Sequence, residues 1–419
     1  MTPGQPMTHP SPTTSYYGWR IAWALALTQT IGFGVLYYTF GVFVKPMEAE
    51  LGWNRAETSA AFSLALLVSG LAAIPVGRWF DRHGARALMT AGSIWGALLL
   101  WGWAHVHNLT TFYLLWAGLG LAMAMVLYEV AFAVLAVWFR RYRPRAMLVV
   151  TLMAGLASTI FVPLSTWLVQ LAGWRGALEI LALIFALGTI PLHALVLRRR
   201  PEDIGQVPDG EAVAPGSRGP APETSLSAKE ALRQPTFWWL SLGFALSRAT
   251  SIALTAHMVP LLTEKGYTPA LVALAAGGVG VVQLAGRIVY TPLSERISLF
   301  HLSGAFLGGY ALSLLGLLFL PEGAGLWAFV LFFGLANGSI SLAKPALVAE
   351  IYGAKHYGTI SGSMTSIVAV AQTIAPFGAG ALHGLSGNYN PALWLFATLA
   401  AISALAIWQA RPRAVLAQP

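Results

Sequence analysis

Arg287 lies in the stretch Val281-Val282-Gln283-Leu284-Ala285-Gly286-Arg287-Ile288-Val289, inside an apolar run from Leu271 to Leu293. A cation at the centre of a bilayer costs roughly 2.5–3.5 kcal/mol on insertion scales, so it normally faces a cavity or a partner. Guanidinium stays charged and offers a fork of donors that fits a carboxylate. Snorkelling to the surface is the other reading, but Arg287 precedes Glu295 by eight residues, about 12 Å of helix. Arg287 is therefore the first candidate anchor for an anionic solute. Arg248 is a second cation within an apolar segment, and Glu129 is an acid deep in another. A pair or triad of Glu129 with Arg248 or Arg287 would let all three persist in lipid. Such a cluster is either a fixed ion pair or a site where Glu129 takes a proton when a substrate anion competes for the arginine. His257 carries an imidazole that binds or titrates. It lies nine positions from Arg248, about two and a half turns, so the two face opposite ways unless the helix breaks near Pro260 or earlier. Packing is the plainer role for it. Gln29, Tyr37, Tyr38, Tyr128, Gln283 and Asn337 are further polar groups in mid-segment, able to line a cavity or to join helices by hydrogen bonds.

These residues need a membrane scaffold. The 419-residue chain is 57% hydrophobic and 10% charged, against about 25% charged in soluble proteins. Twelve apolar segments can be counted, at roughly 19–43, 58–80, 86–105, 110–138, 145–171, 174–197, 236–262, 269–292, 300–320, 325–349, 358–384 and 391–409. Each is about long enough to span a bilayer. Residues 1–18 hold no lysine or arginine and read as a disordered cytoplasmic tail rather than a signal peptide. Residues 198–235, rich in Pro, Gly, Ala and Glu, read as a cytoplasmic linker between bundles 19–197 and 236–409. Within the linker, Ser227 and Glu230 have the form of a capping box for a short helix ending before Pro235. Residues 410–419 form a second cytoplasmic tail.

The net charge of +9 does not indicate nucleic acid, because the basic residues gather in short loops between apolar runs. With the N-terminus inside, nineteen of 25 fall on the inner side, Lys344 counted among them, four on the outer side, and Arg248 and Arg287 within segments. That bias places both termini in the cytoplasm. The absence of cysteine excludes disulfides, thiol catalysis and thiolate metal sites. No metal cluster, nucleophile elbow or phosphate loop appears, so neither an enzyme nor a cofactor is expected.

The two halves echo each other: Gly77-Arg-Trp-Phe-Asp81-Arg82 ends segment 2, and Thr291-Pro-Leu-Ser-Glu295-Arg296 ends segment 8. Weak internal symmetry of this kind marks parallel-repeat transporters. The longer run Gly77-Arg-Trp-Phe-Asp81-Arg82-His-Gly84-Ala-Arg86 resembles the signature between helices 2 and 3 of the major facilitator superfamily. Gly77 allows close helix contact, Gly84 a tight turn, and Asp81 pairs with basic groups or caps a neighbouring helix, closing the cytoplasmic side. Glu295 and Arg296 are the matching gate residues of the second half.

A narrower resemblance rests on Tyr17-Gly18-Trp19-Arg20, Leu51-Gly52-Trp53-Asn54-Arg55-Ala56-Glu57, Tyr128, Trp138-Phe139 and Gly173-Trp174-Arg175. Their order is similar to that of the monocarboxylate transporter and oxalate/formate antiporter branches. The resemblance implies small organic anions carried with a proton or exchanged, with Arg287 at the family's carboxylate anchor and Tyr128 at a matching tyrosine. Three departures bear on mechanism. The first-helix lysine of the animal carriers corresponds to Tyr38, their eighth-helix aspartate to Gln283, and the antiporter's eleventh-helix lysine has no counterpart between Gly358 and Leu385. The animal carriers' proton relay is thus absent, and Glu129 is the candidate replacement.

The expectation is an all-α membrane protein of the major facilitator fold, with twelve transmembrane helices in two six-helix bundles. It is placed in the bacterial inner membrane as a monomer. The expected activity is proton symport of a small organic anion, foremost a monocarboxylate, with anion exchange behind it. An exporter of drugs or amphipaths and a non-transporting membrane sensor are the alternatives. A cavity lined by aromatics, with Arg287 buried in a salt bridge, would favour the exporter.

Overall fold

The computed structural model describes residues 16–210 and 225–411. The readings of residues 1–15, of the middle of the linker with Arg218, and of the last residues with Arg413 lie outside the described residues. Lipid offers no hydrogen bonds to a backbone, so a chain this apolar must satisfy its amides within each segment, as helix. Accordingly, no strand occurs among the described residues. Their helices are α1 (Tyr17–Phe33), α2 (Phe40–Leu51), α3 (Arg55–His83), α4 (Ala85–Ala104), α5 (Leu109–Val126), α6 (Tyr128–Trp138), α7 (Arg143–Gly155) and α8 (Ala157–Pro191), then α9 (Ala228–Arg233), α10 (Pro235–Glu264), α11 (Pro269–Ser294), α12 (Leu299–Phe319), α13 (Glu322–Tyr352), α14 (Tyr357–Ser386) and α15 (Asn390–Gln409).

Ten stretches among the described residues are long and apolar enough to cross a membrane. One of them, Arg143–Val196, changes direction at Gly173, whose φ of 68° favours a residue without Cβ. The thirty-residue α10 is not among the ten, because Ser241, Ser247, Arg248, Thr250, Ser251 and His257 dilute its apolar character. Local signals set several helix starts. Asn54 and Glu57 form a capping box at α3, and Ser227 and Glu230 form the box expected at α9. The linker is not wholly loose, for Asp209 accepts the backbone N–H groups of Arg140, Arg141 and Tyr142 where the chain enters α7.

Helices α1–α8 and α10–α15 make two halves that meet at one end of the molecule. We call it the basic end; it carries Arg140, Arg141, Arg145 and Arg296. One continuous buried core fills the C-terminal half and the basic end of the N-terminal half, including Val76, Phe80 and Trp138. A separate core around Phe43, Trp103, Phe112 and Trp116 fills the opposite part of the N-terminal half. Small residues bring the halves together. Gly70, Ala73 and Gly77 on α3 lie against Ala369, Gly362 and Gly358 on α14, so the backbones touch. A Cβ at Gly77 would run into the Gly358 carbonyl. Gly77→Val is therefore expected to force α3 and α14 apart, at a cost of about 1–3 kcal/mol. Hydrogen–deuterium exchange should speed up in residues 70–81 and 357–366, and wild-type exchange in both would refute the closing role of this contact.

Candidate functional site

The site begins at a helix break without Gly or Pro. Leu127 is extended (φ −87°, ψ −166°) and separates α5 from α6 in the middle of an apolar run. A break leaves backbone groups without helical partners. The buried Gln29 answers one, its Nε2 donating to the Val126 carbonyl at 2.6 Å. The second helix then starts at Tyr128, with Glu129 in its first turn, where the positive end of the helix dipole favours a carboxylate.

Glu129 Oε1 lies 2.8 Å from Lys344 Nζ, and its Oε2 accepts a hydrogen bond from Ser361 Oγ at 2.8 Å. Lys344 also donates to Thr365 Oγ1. This corrects the expected pairing of Glu129 with Arg248 or Arg287, and the placing of Lys344 with the inner loops. The lysine sits within α13 with its side chain 15% exposed, and its pair spans the two halves. The signal available in sequence was a third cation inside an apolar segment; which helix faces α6 was decided by packing.

Arg287 has no acidic partner among the described residues. Its Nη1 donates to the Thr151 carbonyl of α7, across the halves, and its Nε is buried without a hydrogen bond in the described residues. Gly155, the last residue of α7, makes the room, since a Cβ there would strike Nη1. The charge of Arg287 acts on Tyr128, and the charges of Arg287 and Arg248 both act on Tyr38. Arg248 is exposed within α10, and Tyr38 is 38% exposed. Tyr38 ends a π-helical turn, Gly34–Tyr38, whose wider winding re-aims the side chains after α1. Around it, Phe33 packs on Tyr128 with centroids 4.4 Å apart, and Tyr37 packs on Phe62 at 5.2 Å. Two arginines of the C-terminal half thus lie near an aromatic cluster of the N-terminal half.

The remaining candidates separate. Gln283 is half-buried, its backbone against Gly338. Asn337 accepts a hydrogen bond from Ser251 at 2.5 Å, which joins α13 to α10. His257 contacts the Pro376 carbonyl and the Tyr389 hydroxyl, both at 3.0 Å. Because α10 continues through Pro260, His257 points into its own half, away from Arg248, in a packing position.

The basic end is closed by side chains from both halves. Asp81 accepts the backbone N–H groups of Gly358 and Thr359 at 2.8 Å each, capping the start of α14. Gly84 turns the chain at φ 80°, Arg86 donates to the Ala194 carbonyl, and Arg82 and Arg296 are exposed. Glu295 forms a two-pronged ion pair with Arg145, 2.8 and 3.1 Å, a partner not anticipated from sequence. Ser366 donates to the Gly70 carbonyl near the middle of α3 and α14, and beyond it no hydrogen bond joins the halves among the described residues. The hydrogen-bonded contacts between the halves therefore run from the basic end to the middle of α3 and α14.

The Arg145 hydrogen bonds hold the Glu295 carboxyl below the usual carboxylate range. A lowered carboxylate pKa means that the bridge is complete above the usual range and is lost as pH falls through the lowered value. Acid should thus loosen the basic end, read as faster hydrogen exchange there. Glu295→Gln should show the loosened state at every pH, and an unchanged pH response in that variant would exclude the bridge as its source.

The Major Facilitator Superfamily model matches residues 25–376 and 246–419. Monocarboxylate transporter 13 of Bos taurus is 25% identical, covering 90% of this chain and 86% of its own. Monocarboxylate transporter 11 of Mus musculus is 27% identical, over 96% of this chain and 89% of its own. The solved structure of the superfamily transporter FucP in the outward conformation aligns with a TM-score of 0.72 at 15% identity, covering 94% of this chain and 99% of that one. Its likeness shows the fold, a multi-pass helical architecture. With the family model spanning most of its length, the chain belongs to the Major Facilitator Superfamily.

Proposed function

We propose that this transporter carries a small organic anion, foremost a monocarboxylate, by alternating access, and that Arg287 is its carboxylate anchor. One observation carries the reading: Arg287 stands in the membrane-spanning part without an acidic partner among the described residues, held by a carbonyl and with Nε unsatisfied. An arginine neutralised by a fixed acid would be a structural pair; this one is left for an anion from solution. Tyr128, Tyr38 and Arg248 complete the pocket, and its aromatic wall suits the short carbon skeleton of the solute. The names of the monocarboxylate transporters that the chain resembles agree with this chemistry.

The chain crosses the membrane twelve times, with the α8 span turning at Gly173 and α10 as a polar crossing, and both termini lie in the cytoplasm of a bacterial cell. The basic end is then cytoplasmic by the positive-inside bias, and the closed contacts there define an outward-facing state. Glu129 is the proton carrier: protonation would dissolve its pair with Lys344 and free the two halves to move. The aromatic wall alone would also suit an exporter of amphipaths, but that reading required Arg287 in a salt bridge. The deciding experiment is a thermal-shift screen of the purified protein with small carboxylates, repeated with Arg287→Ala. Carboxylates that stabilise both proteins equally would end the anion reading.

A further inference from the structure

At the basic end, on the outer side of the N-terminal half, a groove of about 600 Å³ runs between α4 and the end of α8. Its mouth is lined by Arg86, Arg198, Arg199, His83 and Asp203, and its floor follows Ala87, Thr90, Ala91 and Ile94 along α4. The surroundings face lipid: Ile94, Leu98, Leu187 and Leu195 are all exposed large apolar residues. Trp79, exposed and packed on His83 with centroids 4.6 Å apart, has the amphipathic ring that favours headgroup level.

The mouth is held in place rather than merely basic. The helix ends in a π-helical turn, Leu192–Val196, which leaves carbonyls without helical partners. Arg86 Nε donates to Ala194 O at 2.6 Å, and Arg198 donates to Leu195 O at 2.8 Å. Arg199 donates to Arg82 O at 2.7 Å, tying the root of the linker to the end of α3. A guanidinium has five N–H donors, so each arginine keeps donors for a ligand. The acid in the lining, Asp203, accepts the backbone N–H of Arg200, and three arginines outnumber it. The groove also meets the N-terminus of α4, where Gly84 supplies no side-chain cap and the first turn has no acid. An anion is the complement to that end.

We propose that this groove binds an anionic phospholipid, its phosphodiester among Arg86, Arg198 and Arg199 and one acyl chain along Ala87, Ala91 and Ile94. The apolar floor, open to the hydrocarbon, selects a lipid over a soluble phosphate, and the three arginines select an anionic headgroup over a zwitterionic one. A lipid held there would fasten the root of the inter-bundle linker to the leaflet. The proposal does not depend on the transported solute.

The test is native mass spectrometry of the full chain titrated with dioleoyl phosphatidylglycerol, dioleoyl phosphatidylcholine or glycerophosphate. Phosphatidylglycerol should be retained preferentially, and Arg86→Gln and Arg198→Gln should each lower its retention about fivefold, the weight of one basic residue near a membrane surface. Ala91→Trp, which fills the apolar floor and leaves every charge, should lower it as well. Lys229→Gln, which removes an exposed charge elsewhere at the same end, should not. Equal retention of the two lipids, indifference to all three groove variants, or displacement of the lipid by glycerophosphate would each overturn the proposal.

Discussion

Arg287→Ala is expected to abolish carboxylate-dependent thermal stabilisation and to reduce uptake by roughly tenfold to a hundredfold. A hydrogen bond to a charged group contributes about 1.5–3 kcal/mol, and each 1.4 kcal/mol is about a factor of ten in affinity. Arg287→Lys should recover only part of the loss, because an ammonium keeps the charge but not the planar fork. The fold should tolerate the substitution. The Arg287 side chain makes one hydrogen bond among the described residues, to the Thr151 carbonyl, so its removal strands no buried acid among them. That separates a binding defect from a folding defect. Melting temperature without ligand should change little, while the ligand-induced shift disappears. Retained transport of a carboxylate by Arg287→Ala would remove the arginine from the site.

The second large effect is expected at Glu129 and Lys344. Removing one partner of a buried ion pair costs about 3–5 kcal/mol. The Glu129 side chain is 32% exposed and that of Lys344 15%, which discounts the figure to about 1–3 kcal/mol. Lys344→Ala leaves the carboxylate against the Ser361 hydroxyl alone, so it should melt lower than wild type. Glu129→Gln/Lys344→Met should recover stability relative to Lys344→Ala, because neither an acid nor a cation is then stranded. Function should not follow stability. If Glu129 carries the proton, uptake by Glu129→Gln should no longer respond to an imposed pH gradient, though exchange of substrate for substrate persists. Gradient-driven uptake that survives in Glu129→Gln would assign the proton elsewhere. The pair also joins the two halves, since α6 belongs to one and α13 to the other.

The gate and the site differ in how far they could be read from the chain alone. Asp81 was assigned to closure from its motif, with a basic partner and a helix N-terminus left open as alternatives; the structure gives the helix N-terminus of α14. Glu295 was placed by repeat symmetry, but its partner Arg145 was one of four arginines in a short run, and no spacing rule chooses among them. Lys344 was misplaced for a related reason. Hydropathy locates a residue along a helix axis, and Lys344, five residues before the segment end at 349, lies close enough to that end to be counted with the loops. The Leu127 break had no local signal. Val126 and Tyr128 flank it with neither Gly nor Pro nearby, and the break is stabilised by Gln29, almost a hundred residues earlier in the chain.

What the sequence by itself determined is the class and the inventory. Apolar runs of bilayer length, the small residue Gly77, and the motif from Gly77 to Arg86 specify helices, a close contact and a superfamily, because each is a local property of spacing or size. The cost of a charge in lipid likewise made Arg287, Arg248 and Glu129 visible before any coordinates. What only the tertiary structure decided is who answers whom. Ion pairs inside a helical bundle form between faces of helices far apart in sequence, and periodicity says nothing about which faces meet. Packing gave Glu129 to Lys344, gave His257 to Tyr389, and left Arg287 on a backbone carbonyl without an acid among the described residues. That last arrangement is what supports the proposal of Arg287 as the site for an anion.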